Sequence, residues 1–153
     1  MKNKQRVIVV GGGFAGLELI KGLGNSERYE VILVDVNNYN FFPPLIYQVS
    51  TGFMEPSAIS YPFRRILREK ESVRFRLGSL QRVVPEENKV ILSNGELTYE
   101  ILVMATGAES NCFGNKNIER FSLPMKTISD ALSLRNTILA RLDRATRLPD
   151  RED

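Results

Sequence analysis

The chain has 153 residues, 42% of them hydrophobic and 25% charged, with a formal net charge of +3. That is enough for one domain with an adequate core, and the composition is that of an ordinary globular protein. The mild charge, with no block of five Lys or Arg, gives no support to nucleic-acid binding, and the absence of any histidine removes Ser-His-Asp and Cys-His catalysis and histidine-based metal sites.

The charged start runs directly into a strand rather than into an apolar leader core. No apolar run reaches the ~20 residues needed to span a bilayer. Val7 to Val10 reads as the first strand and Phe14 to about Leu23 as the first helix. Leu17, Ile20 and Leu23 make that helix's buried face, and Gly24-Asn25 supplies its stop. Between strand and helix lies Gly11-Gly12-Gly13-Phe14-Ala15-Gly16, a G-x-G-x-x-G in its expected setting. Gly11 permits the tight turn out of the strand, Gly13 lets the backbone approach a pyrophosphate, and Gly16 lets the helix pack closely on the sheet. The helix N-terminus then turns its N–H groups and positive dipole end toward the phosphates.

A second strand, about Glu30 to Val34, ends at Asp35, close to the ~20 residues past the fingerprint expected of a ribose-binding acid. A carboxylate there accepts hydrogen bonds from both ribose hydroxyls and repels a 2′-phosphate, which disfavours an NADP-type ligand. The competing reading is a glycine-rich turn with an incidental loop aspartate. Strand, helix and strand in this order imply a parallel sheet.

From Val36 to Glu55 turn residues, aromatics and paired prolines mix, as in Asn37-Asn38-Tyr39-Asn40-Phe41-Phe42-Pro43-Pro44-Leu45-Ile46-Tyr47-Gln48. This stretch is too apolar for a solvated linker and too proline-broken for a strand. Such a segment leaving the ligand edge of a sheet either covers a ligand or plugs the core. Pro62 suits the first turn of a helix capped by Ser60 or Tyr61, with Phe63, Ile66 and Leu67 facing inward. Arg64, Arg65, Arg68 and Lys70 form a basic cluster, read as that helix's solvated face in preference to a phosphate or membrane contact.

Val73, Phe75 and Leu77 alternate with Arg74 and Arg76 in a half-exposed strand. Three short pieces follow, Leu80 to Val84, Lys89 to Leu92 and Leu97 to Tyr99, separated by hairpin turns at Pro85–Asn88 and Ser93-Asn94-Gly95. They form an antiparallel meander inserted into a parallel sheet. Ile101 to Met104 returns as an apolar strand ending in Ala105-Thr106-Gly107, small residues that allow a ligand close to the backbone where open α/β sheets bind theirs. Cys112 is the only cysteine, so there is no intrachain disulfide and no Cys-x-x-Cys. A reducing, cytoplasmic setting is expected, with Cys112 structural in preference to reactive. Thr127-Ile-Ser-Asp130 opens a last helix with a capping-box pattern. Ala131, Leu134, Ile138 and Leu142 carry that helix to about Arg144, and a polar, frayed tail follows from Leu148. No metal site and no catalytic side chain are expected, so any chemistry comes from a bound cofactor.

These pieces together resemble the N-terminal, FAD-binding portion of type II NADH:quinone oxidoreductases, within the two-dinucleotide-domain flavoproteins related to glutathione reductase and sulfide:quinone reductase. The matching residues are the Val9-to-Glu18 opening, Leu33-Val34-Asp35, Asn38-Tyr39, Pro44 to Val49 and Thr51-Gly52. The meander, Ala105-Thr106-Gly107, Phe113-Gly114 and Leu123 to Thr127 running into Asp130–Arg135 complete the match. The resemblance implies an α/β, Rossmann-like FAD-binding domain over residues 1–128. It also implies a C-terminal helix and tail, 129–153, leading toward an NADH-binding domain that is missing here.

By the same resemblance Gly11, Gly12, Gly13, Phe14, Ala15 and Gly16 hold the FAD pyrophosphate and Asp35 its ribose. Val36 and Asn37 border the adenosine, and the Leu80 backbone reads the adenine edge. Gln48 runs beside the flavin, and Ala105, Thr106 and Gly107 close over the cofactor. The implied reaction passes electrons from NADH through FAD to a quinone. Such enzymes are far longer and carry a second fingerprint for NADH, which this chain lacks. The chain alone is therefore expected to bind dinucleotide without turnover. Quinone and membrane contacts would come only through missing C-terminal regions, with the full-length protein peripheral on the cytoplasmic membrane face. The alternatives are a non-catalytic dinucleotide-binding module and a sulfide:quinone reductase-like piece, the latter needing more thiols than Cys112.

Overall fold

The structure, a computed structural model, describes residues 4–147. In chain order its elements are β1 (Gln5–Val10), α1 (Phe14–Leu23), β2 (Tyr29–Asp35), β3 (Tyr39–Phe41), α2 (Ile46–Ser50), β4 (Ser60–Pro62) and α3 (Phe63–Ile66). There follow β5 (Val73–Leu77), β6 (Leu80–Val84), β7 (Lys89–Leu92), β8 (Gly95–Thr98), β9 (Ile101–Met104), α4 (Lys116–Phe121) and α5 (Ile128–Ala145). Its described residues divide into two compact units, one of residues 4–40 and 61–108, the other of residues 41–60 and 109–147.

The first unit is built on a parallel sheet of order β5-β2-β1-β9. Val9 pairs with Leu33 on one side and Val103 on the other, and Leu33 pairs in turn with Phe75. A parallel strand buried on both faces needs an unbroken apolar run, which is what Val7 to Val10 supply. Alternation then sends successive side chains to opposite faces. Val7, Val9, Val31, Leu33 and Val73 cluster with Ile20 of α1 and with Phe63 and Leu67. Ile8, Val10 and Val34 cluster instead with Val90 and Leu92 of the meander. The meander, order β6-β7-β8, is thus a separate three-stranded layer on the second face of the parallel sheet. It lies in the chain between β5 and β9, as the insertion expected from the sequence.

Several boundaries differ from expectation. Leu92 pairs with Gly95, so the last hairpin turns on Ser93-Asn94 alone and β8 starts two residues before Leu97. Tyr99 lies outside that strand, and its N–H donates to the Asn88 carbonyl at 2.8 Å. Pro62 is the residue before α3 rather than its first turn, with extended backbone at φ −59°, ψ 132°, as a fixed ring φ allows. Arg64, Arg65 and Arg68 are exposed while Phe63 and Leu67 are buried, the solvated basic face that was expected, but Lys70, the fourth member of that cluster, is half-buried beside Gly24. The stretch before the paired prolines does form a strand, β3, because Pro43 comes only after its last residue.

In the second unit Pro43 opens a single 3₁₀ turn, Pro43–Leu45, that leads into α2. Ile46, Val49 and Ser50 are its buried residues, and α2 packs against α5. The helix α4 was not foreseen. Asn115 caps it, its side-chain oxygen accepting from the N–H groups of Asn117 at 3.0 Å and Ile118 at 3.2 Å. Contacts group α5 with residues 41–60 and 109–127. The tail from Leu148 lies outside the described residues.

Candidate functional site

The fingerprint turn sits at the carboxyl ends of β1, β2 and β9 in the first unit. Gly11 has φ +104°, a conformation that only glycine adopts without strain. A Cβ there would also run into the Ala105 carbonyl at the end of β9. The Gly11 N–H donates to the Val34 carbonyl at 2.8 Å, and the Ala105 N–H to the Val10 carbonyl at 2.8 Å. The turn is thereby tied to both neighbouring strands, and Ala105 and Thr106 lie against its first glycine, with Gly107 following them in the chain. Gly16 is buried, and a Cβ on it would strike the Gly11 carbonyl. Its missing side chain lets α1 approach the strand it follows, as the sequence suggested.

Gly13 is different. It precedes α1 with ordinary backbone, φ −73° and ψ −162°, and a Cβ on it would meet no atom of the described residues within 4 Å. Neither strain nor packing within the chain asks for glycine here. An outside group lying against this backbone would. Phe14 and Ala15 beside it are also exposed, Phe14 by 56%.

Asp35 closes β2 half-buried. Its Oδ2 accepts from the Gly12 N–H at 2.7 Å and its Oδ1 from the Asn37 N–H at 2.8 Å. A carboxylate offers about four lone-pair sites, so two remain for hydroxyl donors. Two residues that sequence reasoning left out of the site complete its floor. The Asn40 side-chain N–H₂ donates to the Gly12 carbonyl at 2.8 Å. The Phe63 ring lies where a Gly12 Cβ would be and stacks on Phe75 with centroids 5.1 Å apart. Only the aromatic content of 37–48 and the inward reading of Phe63 hinted at either.

Val36, 63% exposed, and Asn37 follow Asp35 at the same edge. The Asp35 carbonyl accepts from the Gly78 N–H at 2.9 Å, which brings the start of β6 to that edge. Leu80 pairs with Leu92 and packs its side chain into the meander cluster. Gln48 belongs to the second unit, where its Nε2 donates to the Tyr47 hydroxyl at 3.0 Å. The structure thus gathers every expected site residue except Gln48 within the first unit.

The opposite, amino-terminal edge of the same sheet holds a cleft of about 440 Å³. Acids and bases face one another across it: Glu30 pairs with Arg74 at 3.3 Å and faces Arg6 at 3.8 Å, Glu100 accepts from the Arg6 backbone N–H at 2.6 Å, and Lys4 donates to the Ser26 carbonyl and the Ser72 hydroxyl at 3.0 Å each. Lys4, Arg6 and Arg74 balance Glu30, Glu71 and Glu100, so the cleft carries no excess charge to attract a ligand. Among the described residues no group of His, Cys, Asp or Glu could hold a metal ion, and no helix is long and apolar enough to cross a membrane.

The family model of pyridine nucleotide-disulphide oxidoreductases matches residues 5–145. The type II NADH:quinone oxidoreductase NdhA of Mycobacterium tuberculosis is 34% identical over 146 residues, covering 93% of this chain and 31% of that protein. Among solved structures, NDH2 from Plasmodium falciparum in complex with NADH superposes with a TM-score of 0.85 at 25% identity, covering 98% of this chain and 32% of the other. The sulfide:quinone oxidoreductase of Aquifex aeolicus gives 0.81 at 25% identity, over 91% of this chain and 32% of that one. The chain spans about a third of the length of these relatives.

Proposed function

The chain belongs to the pyridine nucleotide-disulphide oxidoreductase family, and from that premise we propose that its first unit binds FAD within an NADH:quinone oxidoreductase. FAD is the standard cofactor of the family. The observation that carries the reading is Gly13, whose missing side chain no atom of the described residues explains. A bare backbone at the N-terminus of a ten-residue helix fits a pyrophosphate, because both the N–H groups and the dipole favour an anion.

In this proposal residues Gly11 to Gly16 cradle the pyrophosphate, with Gly11 shaping the turn and Gly16 seating the helix behind it. Asp35 uses its remaining lone pairs for the ribose hydroxyls while its other two fix Gly12 and Asn37. Val36, Asn37 and the Leu80 backbone border the adenosine, and Ala105, Thr106 and Gly107 approach the cofactor from β9. Gln48 is assigned to the flavin half. When bound, FAD supplies hydride and electron transfer between NADH and a quinone. The protein's own part is to hold, orient and shield, which suits a chain without histidine.

Residues 1–128 serve FAD binding in this reading, and 129–153 lead toward an NADH-binding domain. Quinone and membrane contact, on the cytoplasmic face, fall to regions beyond these residues. The likeness to a sulfide:quinone oxidoreductase favours a second reading, but Cys112 is the chain's single thiol and that chemistry needs more. A plain dinucleotide-binding module is the other alternative. The test is a titration of the purified chain with FAD, followed by flavin absorbance and fluorescence after removal of free ligand. Retained flavin at one per chain is expected. Failure to bind either FAD or ADP would remove the reading.

A further inference from the structure

Both peptide planes that meet at Gly12 are held by side chains. Asp35 Oδ2 takes the Gly12 N–H at 2.7 Å, and Asn40 Nδ2 gives a hydrogen bond to the Gly12 carbonyl at 2.8 Å. Beneath them the Phe63 ring, 1% exposed, occupies the space of a side chain at Gly12. A trans peptide carries its C=O and N–H on opposite sides. Anchoring the Gly12 carbonyl on Asn40 therefore turns the Gly13 N–H the other way. Gly13 is also the residue whose missing Cβ leaves open space.

We propose that Asn40 is a positioning residue for the bound dinucleotide. Its side-chain N–H₂ locks the Gly12–Gly13 peptide so that the Gly13 N–H is already directed at the pyrophosphate before the ligand arrives. The inference rests on the dinucleotide reading above and adds a residue and a chemical requirement to it. The requirement is a donor at position 40. A carboxylate of the same shape accepts only, and it would set its charge against the Gly12 carbonyl oxygen. A preset donor saves the ordering cost that a mobile glycine turn would otherwise bring to binding.

Two substitutions separate donor chemistry from mere shape. Asn40→Asp keeps the volume and loses the donor, while Asn40→His places an Nδ1–H at comparable reach. In the ligand-free chain the ¹³C resonance of the Gly12 carbonyl is expected to move in Asn40→Asp and to return toward its original position in Asn40→His. With ADP as the probe, carrying the pyrophosphate without the flavin, Asn40→Asp is expected to bind about tenfold more weakly. Asn40→His should stay within about threefold of the unaltered chain. Equal ADP affinity in Asn40→Asp, or an equal loss in both variants, overturns the donor role. An unmoved Gly12 carbonyl resonance overturns the contact itself, with or without ligand. If the unaltered chain binds no ADP while the resonance moves as expected, the dinucleotide reading falls and takes the ligand-directed role of Asn40 with it.

Discussion

The glycines of the fingerprint answer to different neighbours, and that difference can be measured. Gly11 is glycine because of the protein: its φ is +104°, and the Ala105 carbonyl fills the place of a side chain. Gly13 has ordinary backbone angles and nothing beside it. Gly11→Ala is therefore expected to lower the stability of the chain by about 1–3 kcal/mol through backbone strain. Gly13→Val should cost about 1 kcal/mol or less, the exchange of glycine for valine at a helix cap, yet abolish FAD binding. Thermal unfolding and a flavin titration on both variants check the pair. Unchanged flavin affinity in a folded Gly13→Val chain would move the site elsewhere. Asp35 is a less clean probe, because its carboxylate holds Gly12 and Asn37 as well as facing the proposed ribose. Removing it disturbs the turn and the ligand contact together.

At the scale of elements, α5 shows a local signal that sequence alone carries fully. Thr127 Oγ1 accepts from the Asp130 N–H at 3.1 Å, and Asp130 Oδ2 accepts from the Thr127 N–H at 2.8 Å. These are the two halves of a capping box. The Thr127 backbone N–H, more than any other neighbour, holds the Asp130 carboxyl below its ordinary 3.8. A depressed folded-state value contributes stability above the unfolded value, and that stability is lost as the pH falls through the lower one. The helical signal of α5 is expected to weaken with acid in this window, and Asp130→Asn should flatten the step that Asp130 adds. A circular-dichroism titration showing the same acid step in both chains would exclude the cap as its source. The first strand, the fingerprint helix and the meander were legible for the same reason, since each is written in a periodicity or a turn over a few residues. The helix α4 was not, because Ile118 and Phe121 are both exposed and leave no buried stripe to read. The Asn40 and Phe63 contacts with Gly12 were not legible either. They bring together residues far apart in sequence, through a register that only the folded sheet sets.

At the scale of the whole molecule, what matters is how many nucleotide sites the chain can build. Its 153 residues contain a single G-x-G-x-x-G, and the structure seats that one at the carboxyl edge of the β5-β2-β1-β9 sheet. Hydride delivery to a flavin needs a second dinucleotide held with its reacting carbon in near-attack contact, about 3–3.5 Å from the acceptor atom. One fingerprint cannot hold two dinucleotides. The cleft at the sheet's other edge is lined by three bases, Lys4, Arg6 and Arg74, against three acids, Glu30, Glu71 and Glu100, so it carries no excess positive charge toward a pyrophosphate. We therefore expect the chain, once loaded with FAD, to be reduced by a small inorganic reductant but not by NADH at rates above those of free flavin. The measurement is flavin absorbance under anaerobic conditions after addition of each reductant in turn. Bleaching by NADH well above the free-flavin rate would require a nucleotide site built without a glycine fingerprint. That outcome would overturn the proposed assignment of these residues to the flavin alone.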